Sequence, residues 1–250
     1  IGLSANYQLG KSRLLIGATS PILVNNLTED KVGTRKSLIA SLEYGNPAET
    51  SLTLMTGITQ DKDTLLGSSG NNAYSMSGSK SNTTFAAVKA QNYFTNELTL
   101  TGIATIGKSD MSSPTNSFIN SANNVKSSSV SLIATKKNIT GEDSFSLSIS
   151  QPNRVIDGGM SIRLSNLAES DGSLSYRDHN IDLSPSGRQM VYGLSYRKDL
   201  DKNIGFAMKY VLADSLNHNQ DSALVKSSYV GFKYKDLKLG YNTNSQDSSQ

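Results

Sequence analysis

Chemistry at neutral pH most often recruits histidine, and this sequence has two. His179 lies in Arg177-Asp178-His179-Asn180 and His218 in Asn217-His218-Asn219-Gln220-Asp221. A serine hydrolase needs a nucleophilic Ser, a His base and an orienting carboxylate converging on one point, with backbone donors for the oxyanion. No glycine-flanked nucleophile Ser is present, and neither His has the neighbours of a triad. With no Cys in the chain, thiolate nucleophiles, thiolate metal sites and disulfides are excluded. A glycosidase needs only two carboxylates that meet in the fold, but nothing in the spacing of Asp and Glu favours a pair. Asp61-Lys62-Asp63 and Asp199-Leu200-Asp201 are too short for a calcium loop and read as turns. The triplets Asn26-Leu27-Thr28, Asn82-Thr83-Thr84 and Asn138-Ile139-Thr140 match glycosylation acceptors and are read as loop residues. The expectation is a non-catalytic chain with no metal site and no cofactor.

A net charge of +3 with scattered Lys and Arg lacks the basic clustering of a nucleic-acid footprint, so no nucleic-acid partner is expected. No apolar run is long enough for a transmembrane helix, which leaves a membrane β-barrel open. The first residue is Ile1 rather than Met, and the chain is read as a mature fragment.

The elements follow from periodicity. Leu38, Ala40, Leu42 and Tyr44 alternate with Ile39, Ser41 and Glu43, and similar alternation recurs from Leu52 to Ile58, Leu98 to Ile106, Phe145 to Ile149, Met190 to Tyr196 and Ile204 to Leu212. It continues through Val230-Phe232-Tyr234 and Leu237-Leu239-Tyr241. Turn chemistry separates the runs at Gly45-Asn46-Pro47, Gly67 to Asn72, Asn138 to Asp143, Asp171-Gly172, Ser184 to Gly187 and Asp199 to Asn203. Longer polar loops are expected over 25–35, 77–82, 109–124 and 216–226. The pattern predicts an all-β fold of about twelve to fourteen antiparallel strands, counted from the alternation. One domain is expected over 1–241, followed by a polar tail over 242–250.

Parity along each strand sorts the charges. Arg13, Glu43, Lys89, Glu97, Arg163, Arg177, Asp182, Arg197, Lys209, Lys233 and Lys238 fall opposite the apolar rows, leaving the apolar face free of in-strand charge. In the C-terminal half, Arg163, Arg177, Arg197, Lys209, Lys233 and Lys238 are expected on one face, opposite Met160, Ile162, Leu174, Leu194, Phe206, Met208, Phe232 and Leu239. Tyr44, Tyr196, Tyr210, Tyr234 and Tyr241 stand near strand ends on the apolar side, as in an interfacial girdle or at the rim of a core.

Two runs carry a resemblance: Ser148-Ile149-Ser150-Gln151-Pro152-Asn153-Arg154-Val155, and Ile181-Asp182-Leu183-Ser184-Pro185-Ser186-Gly187-Arg188-Gln189. From about Leu65 onward the chain resembles the C-terminal β-domain of bacterial subtilisin-like secreted serine peptidases of the autotransporter type. Weaker echoes are Leu65-Leu66-Gly67, Thr83-Thr84-Phe85 and Leu98 to Gly107. The sequence departs from that pattern at Asn153, Ser184 and Gln189, and in continuing past Tyr234 to a polar C-terminus. The resemblance implies an up-and-down barrel that anchors or exports a passenger at the outer membrane, without the peptidase half. Gln151, Pro152, Arg154, Pro185, Gly187 and Arg188 are the motif residues. Read without the family, both proline runs should be strand-to-strand connections, and Arg154 and Arg188 have Asp157 and Asp182 as candidate partners.

Two architectures share these features. In a membrane barrel the apolar face meets lipid and the partners are outer-membrane lipid and the chain's own passenger. In a secreted sandwich or filament subunit at the cell surface, apolar faces cover each other and copies self-associate. A carbohydrate-binding or enzymatic β domain would want exposed Trp, and there is none.

Overall fold

In the computed structural model, described for residues 2–19, 35–46, 49–66, 72–168, 172–201, 203–235 and 237–246, the chain forms one thirteen-stranded antiparallel sheet. The strands are β1 (Gly2–Leu9), β2 (Ser12–Thr19), β3 (Arg35–Asn46), β4 (Thr50–Lys62), β5 (Lys80–Tyr93), β6 (Leu98–Met111) and β7 (Ile119–Lys137). There follow β8 (Asp143–Ala168), β9 (Leu174–Asp182), β10 (Met190–Asp201), β11 (Ile204–Asp214), β12 (Val225–Tyr234) and β13 (Leu237–Gln246). Each strand pairs with its sequence neighbour, except that β10 returns to pair with β8 and leaves β9 as a side branch. A single meandering sheet forms rather than two packed sheets of a sandwich. Among the described residues, β1 pairs only with β2 and β13 only with β12.

Connections differ sharply between the two ends of the strands. At one end, tight turns follow β1, β3, β5, β7, β10 and β12; at the other lie the longer connections after β2, β4, β6 and β11. Short turns keep neighbouring strands antiparallel and in fixed register, which lets a period-two pattern hold across the sheet.

The expected polar loops shrink in the structure. Strand pairing runs through Met111 and resumes at Ile119, and β5 starts at Lys80, so much of 109–124 and 77–82 is ladder. β13 continues through Asn242–Gln246, which makes most of the expected tail part of the last strand. The polar run 25–35 and the turns at Gly67 and Asp171 fall largely outside the described residues.

The buried apolar cluster does not lie between layers. Leu65, Met76, Met111, Ile119, Ala122, Val125 and Ile162 gather at the long-connection end, where Leu65 and Met76 of the β4–β5 connection pack against residues of β6, β7 and β8. β8 explains why. It pairs with β7 over most of its length, but its other edge meets β10 over Asp143–Ser150 and β9 over Gly159–Ala168. Between these, the β7–β8 register slips repeatedly, and bulges of this kind swing a strand's side chains to the other face. Phe145, Leu147 and Ile149 therefore belong to one apolar row, while Val155, Met160 and Ile162 turn into the buried cluster.

Candidate functional site

Register places the apolar rows of all twelve main-path strands on one side. Tyr7 stands opposite Leu14, Leu14 opposite Leu42, Leu42 opposite Leu54 and Leu54 opposite Val88. Further along, Leu132 pairs with Ile149, Ile149 with Tyr192, Met208 with Val230 and Phe232 with Leu239. This face is uncovered: Leu3 is 76 % exposed, Leu147 50 % and Tyr241 71 %. Contiguous exposed apolar surface on this scale marks an interaction face.

The belt has polar margins. On β7, Lys126 and Lys136 stand ten positions apart on the belt side, with Val130, Leu132 and Ala134 between them. Ten residues of strand rise about 33 Å, or about 25 Å along the normal at a barrel-like tilt, the height of a lipid-facing apolar band. Tyr44, Tyr196 and Tyr234 sit toward the short-turn ends and Tyr192 and Tyr210 toward the others. The apolar face is thus not free of in-strand charge, as parity within the clearest runs implied. Lys36, Lys62, Lys80, Lys108 and Lys126 continue the belt rows at the long-connection end, and Lys136 and Lys198 at the other. Sequence reading missed these lysines because it sorted only the strand centres; their even spacing from Leu38, Ile58 and Ile106 was the available signal.

On the other face, Arg197, Lys209, Lys233 and Lys238 share one side, opposite Leu194, Phe206, Met208, Phe232 and Leu239. Arg163 and Arg177 do not share a face with each other. Arg163 stands opposite Asp178 and bonds it through Nε at 2.9 Å, whereas Arg177 stands opposite Leu164, so it lies on the side of Met160 and Ile162. Leu174 likewise lies with Arg163 rather than opposite it, since it shares parity along β9 with Tyr176 and Asp178, which face Ser165 and Arg163. Arginines of the charged face find acids: Arg13 pairs with Glu43, and Arg35 with buried Asp61 at 2.7 Å. Arg197 pairs with Asp199 on its own strand at 3.1 Å. Glu97, expected on the charged face, lies in the β5–β6 turn and binds Lys136 on the belt side at 2.6 Å.

The two motif runs meet in space. Leu183–Arg188 does connect β9 to β10, but Gln151–Val155 is strand interior, which corrects the expectation of a connection there. Pro152 is tolerated because that stretch pairs on one edge only and sits at a bulge, where a missing N–H is harmless. Arg154 bonds neither Asp157, which takes Lys126 at 2.7 Å, nor Asp182. It donates instead to the carbonyl oxygens of Gly187 at 2.9 Å and Pro185 at 3.1 Å. His218 closes the cluster from the β11–β12 connection. Its Nδ1 accepts the Gln189 backbone N–H at 2.8 Å, and its Nε2 lies 3.1 Å from the Asn153 carbonyl. This arrangement requires the neutral imidazole with the proton on Nε2. Burial at 7 % exposure depresses its pKa below the usual value, and the Arg154 charge adds to that against the bond to Asn153. Both ring nitrogens face backbone groups, which suits a latch. His179 lies exposed on β9, opposite Ile162. Nearby, the Arg163 hydrogen bond holds the Asp178 carboxyl below the usual range.

The charged face holds a recess of about 310 Å³. Arg35, Asp61, Leu66, Thr83, Phe85 and Asn153 are among its lining residues. Ser81 and Ser109 beside it are fully buried, with Ser81 Oγ donating to the Thr64 carbonyl at 2.7 Å. Among the described residues no group of His, Asp and Glu could hold a metal ion.

No protein-family model and no curated protein matches this sequence. Among solved structures it is similar to the siderophore receptor PiuA from Acinetobacter baumannii, with 12 % identity and a TM-score of 0.44. That likeness covers 98 % of this chain and 43 % of the receptor. It is also similar to the open form of the ferric-catecholate import receptor Fiu from E. coli K12, with 12 % identity and a TM-score of 0.41 over 97 % of this chain and 56 % of that one. The chain spans about half the length of these receptors.

Proposed function

We propose that this chain is a non-catalytic β-barrel seated in a bacterial outer membrane, the translocator or anchor domain of an autotransporter-type surface protein. The observation that carries the reading is the exposed apolar belt, continuous in register across twelve strands and bounded by charged and aromatic margins. Water disfavours such a face, and lipid is the solvent it fits. Closure supports the same reading. The main path has twelve strands, so β1 and β13 run antiparallel and their free edges can pair. Pairing them removes both edges, as a membrane span requires, and turns the charged face toward a lumen. The buried cluster, including Leu65 and Met76 of the β4–β5 connection, then partly fills the lumen's mouth at the long-connection end.

The finer assignment, to the β-domain that follows a subtilisin-like peptidase, rests on the resemblance of the two motif runs. Their mutual contact through Arg154 gives them a shared structural role. The test is refolding. The purified chain should need detergent or vesicles to remain β-rich and monomeric, and should migrate faster on a gel unheated than boiled. A passenger fused before residue 1 should then reach the cell surface. A chain that stays soluble and ordered without detergent by assembling with its own copies overturns the membrane reading in favour of a secreted structural module.

A further inference from the structure

We infer that the outer face at the long-connection end is a lysine collar that binds the phosphate groups of an anionic lipid leaflet. The inference rests on the membrane reading above and adds a ligand to it. Lys36, Lys62, Lys80, Lys108 and Lys126 occupy five consecutive strands, β3 to β7, and all five are exposed. Neighbouring strands lie about 4.8 Å apart, so the collar spans about 19 Å, a few lipid headgroups wide. Each lysine shares the parity of the belt. Lys36 follows two residues outside Leu38, Lys108 two outside Ile106 and Lys62 four outside Ile58, which sets the ammonium groups where snorkelling side chains meet headgroups.

The register makes this arrangement costly without a counterion. Lys62 stands directly opposite Lys80, and Lys108 directly opposite Lys126. Like charges in directly opposed positions destabilise a ladder. Few acids offset them locally. Asp157 pairs with Lys126 at 2.7 Å, and Asp110 accepts the Asn124 backbone N–H at 2.8 Å. Lys36, Lys62, Lys80 and Lys108 have no side-chain partner among the described residues. Elsewhere in the sheet Arg13, Arg35, Lys136 and Arg163 each reach a carboxylate, while Lys209, Lys233 and Lys238, on the opposite face, have no ion pair among the described residues. A surface that leaves four adjacent cations unpaired at the edge of a lipid-fitting belt is complementary to a layer of phosphates.

The experiment compares thermal unfolding of the refolded chain in phosphatidylcholine vesicles with and without phosphatidic acid. The native chain should gain about 5 °C from phosphatidic acid at low salt, as several near-surface lysines would give a domain of this size. The K36Q/K62Q/K80Q/K108Q variant should lose the gain, and the matching lysine-to-arginine variant should keep it. Should the glutamine variant not fold, salt decides with the native chain: screening should abolish the gain. An equal gain in native and glutamine chains, a gain that survives high salt, or the same gain from free inorganic phosphate overturns the inference. Folding into both vesicles with no difference overturns it while leaving the membrane reading intact. Failure to fold into either vesicle overturns both.

Discussion

Arg154, in the middle of β8, reaches across to Gly187 in the turn before β10 and donates from Nε to its carbonyl oxygen at 2.9 Å. The same guanidinium reaches Pro185, so one rigid fork satisfies two carbonyls of a turn that no ladder supports. The planar geometry matters more than the charge, since no acid is involved.

Replacing Arg154 by Ala should therefore strand both carbonyls and destabilise the fold by about 1–3 kcal/mol. The Arg154→Lys variant should recover only part of this, because an ammonium cannot span both acceptors in one plane. Trypsin cleavage after Arg188 reads the local effect: the turn should be cut roughly tenfold faster in the Ala variant, the factor that 1.4 kcal/mol of opening free energy gives. Unchanged cleavage and stability would mean that the turn is held by its other bonds alone.

His218 should make stability depend on pH. Its folded pKa lies below the unfolded value, so the unfolded chain binds the proton more tightly, and folding is favoured by deprotonation. The contribution is fully present above about pH 6.5, the ordinary histidine value, and is lost as pH falls from there through the folded pKa. Urea unfolding in detergent from pH 8 to pH 5 should show that decline, and His218→Gln should flatten it.

Alternation from Leu38 to Tyr241 made the strands, their antiparallel order and the apolar face legible, because register in a meander is fixed locally by short turns. Parity failed at β8. Nothing in Gln151-Pro152-Asn153-Arg154-Val155 announces that the strand continues through its proline, or that bulges turn Met160 and Ile162 inward while Phe145 and Leu147 point outward. The partners of Arg154 were hidden for a related reason: they are backbone carbonyls of a distant turn, which carry no signature in residue type. The lysine collar was present in the spacing but lay beyond the runs that set each strand's face.

Gly158 marks the bulge that performs this inversion. Its φ is +125°, and a Cβ there would sit 2.6 Å from the Cα of Val125 on the facing strand. Gly158→Ala should therefore destabilise by more than 2 kcal/mol, the combined effect of a disfavoured backbone conformation and a backbone clash. Gly141 also has positive φ but open space around it, and Gly141→Ala should cost only about 1 kcal/mol. Equilibrium unfolding of the two variants in one detergent checks the contrast.

The direction of the belt is tested most directly by exchanging charge between faces. Leu132 lies at mid-belt, 44 % exposed, opposite Ile149 on one neighbour and Gly102 on the other. In a lipid bilayer, Leu132→Arg places a charge near the hydrocarbon centre and should weaken folding into vesicles by about 2–4 kcal/mol. In water the same change at so exposed a site would cost little, and it would help solubility. Lys209, on the charged face of β11, gives the reciprocal case. Lys209→Leu removes a lumen cation and should change folding into vesicles by less than about 1 kcal/mol, because no lipid contact is involved. Folding free energies measured by urea titration into vesicles should separate the two variants clearly. A tolerated arginine at Leu132 would show that the apolar belt meets water rather than lipid and would overturn the membrane reading.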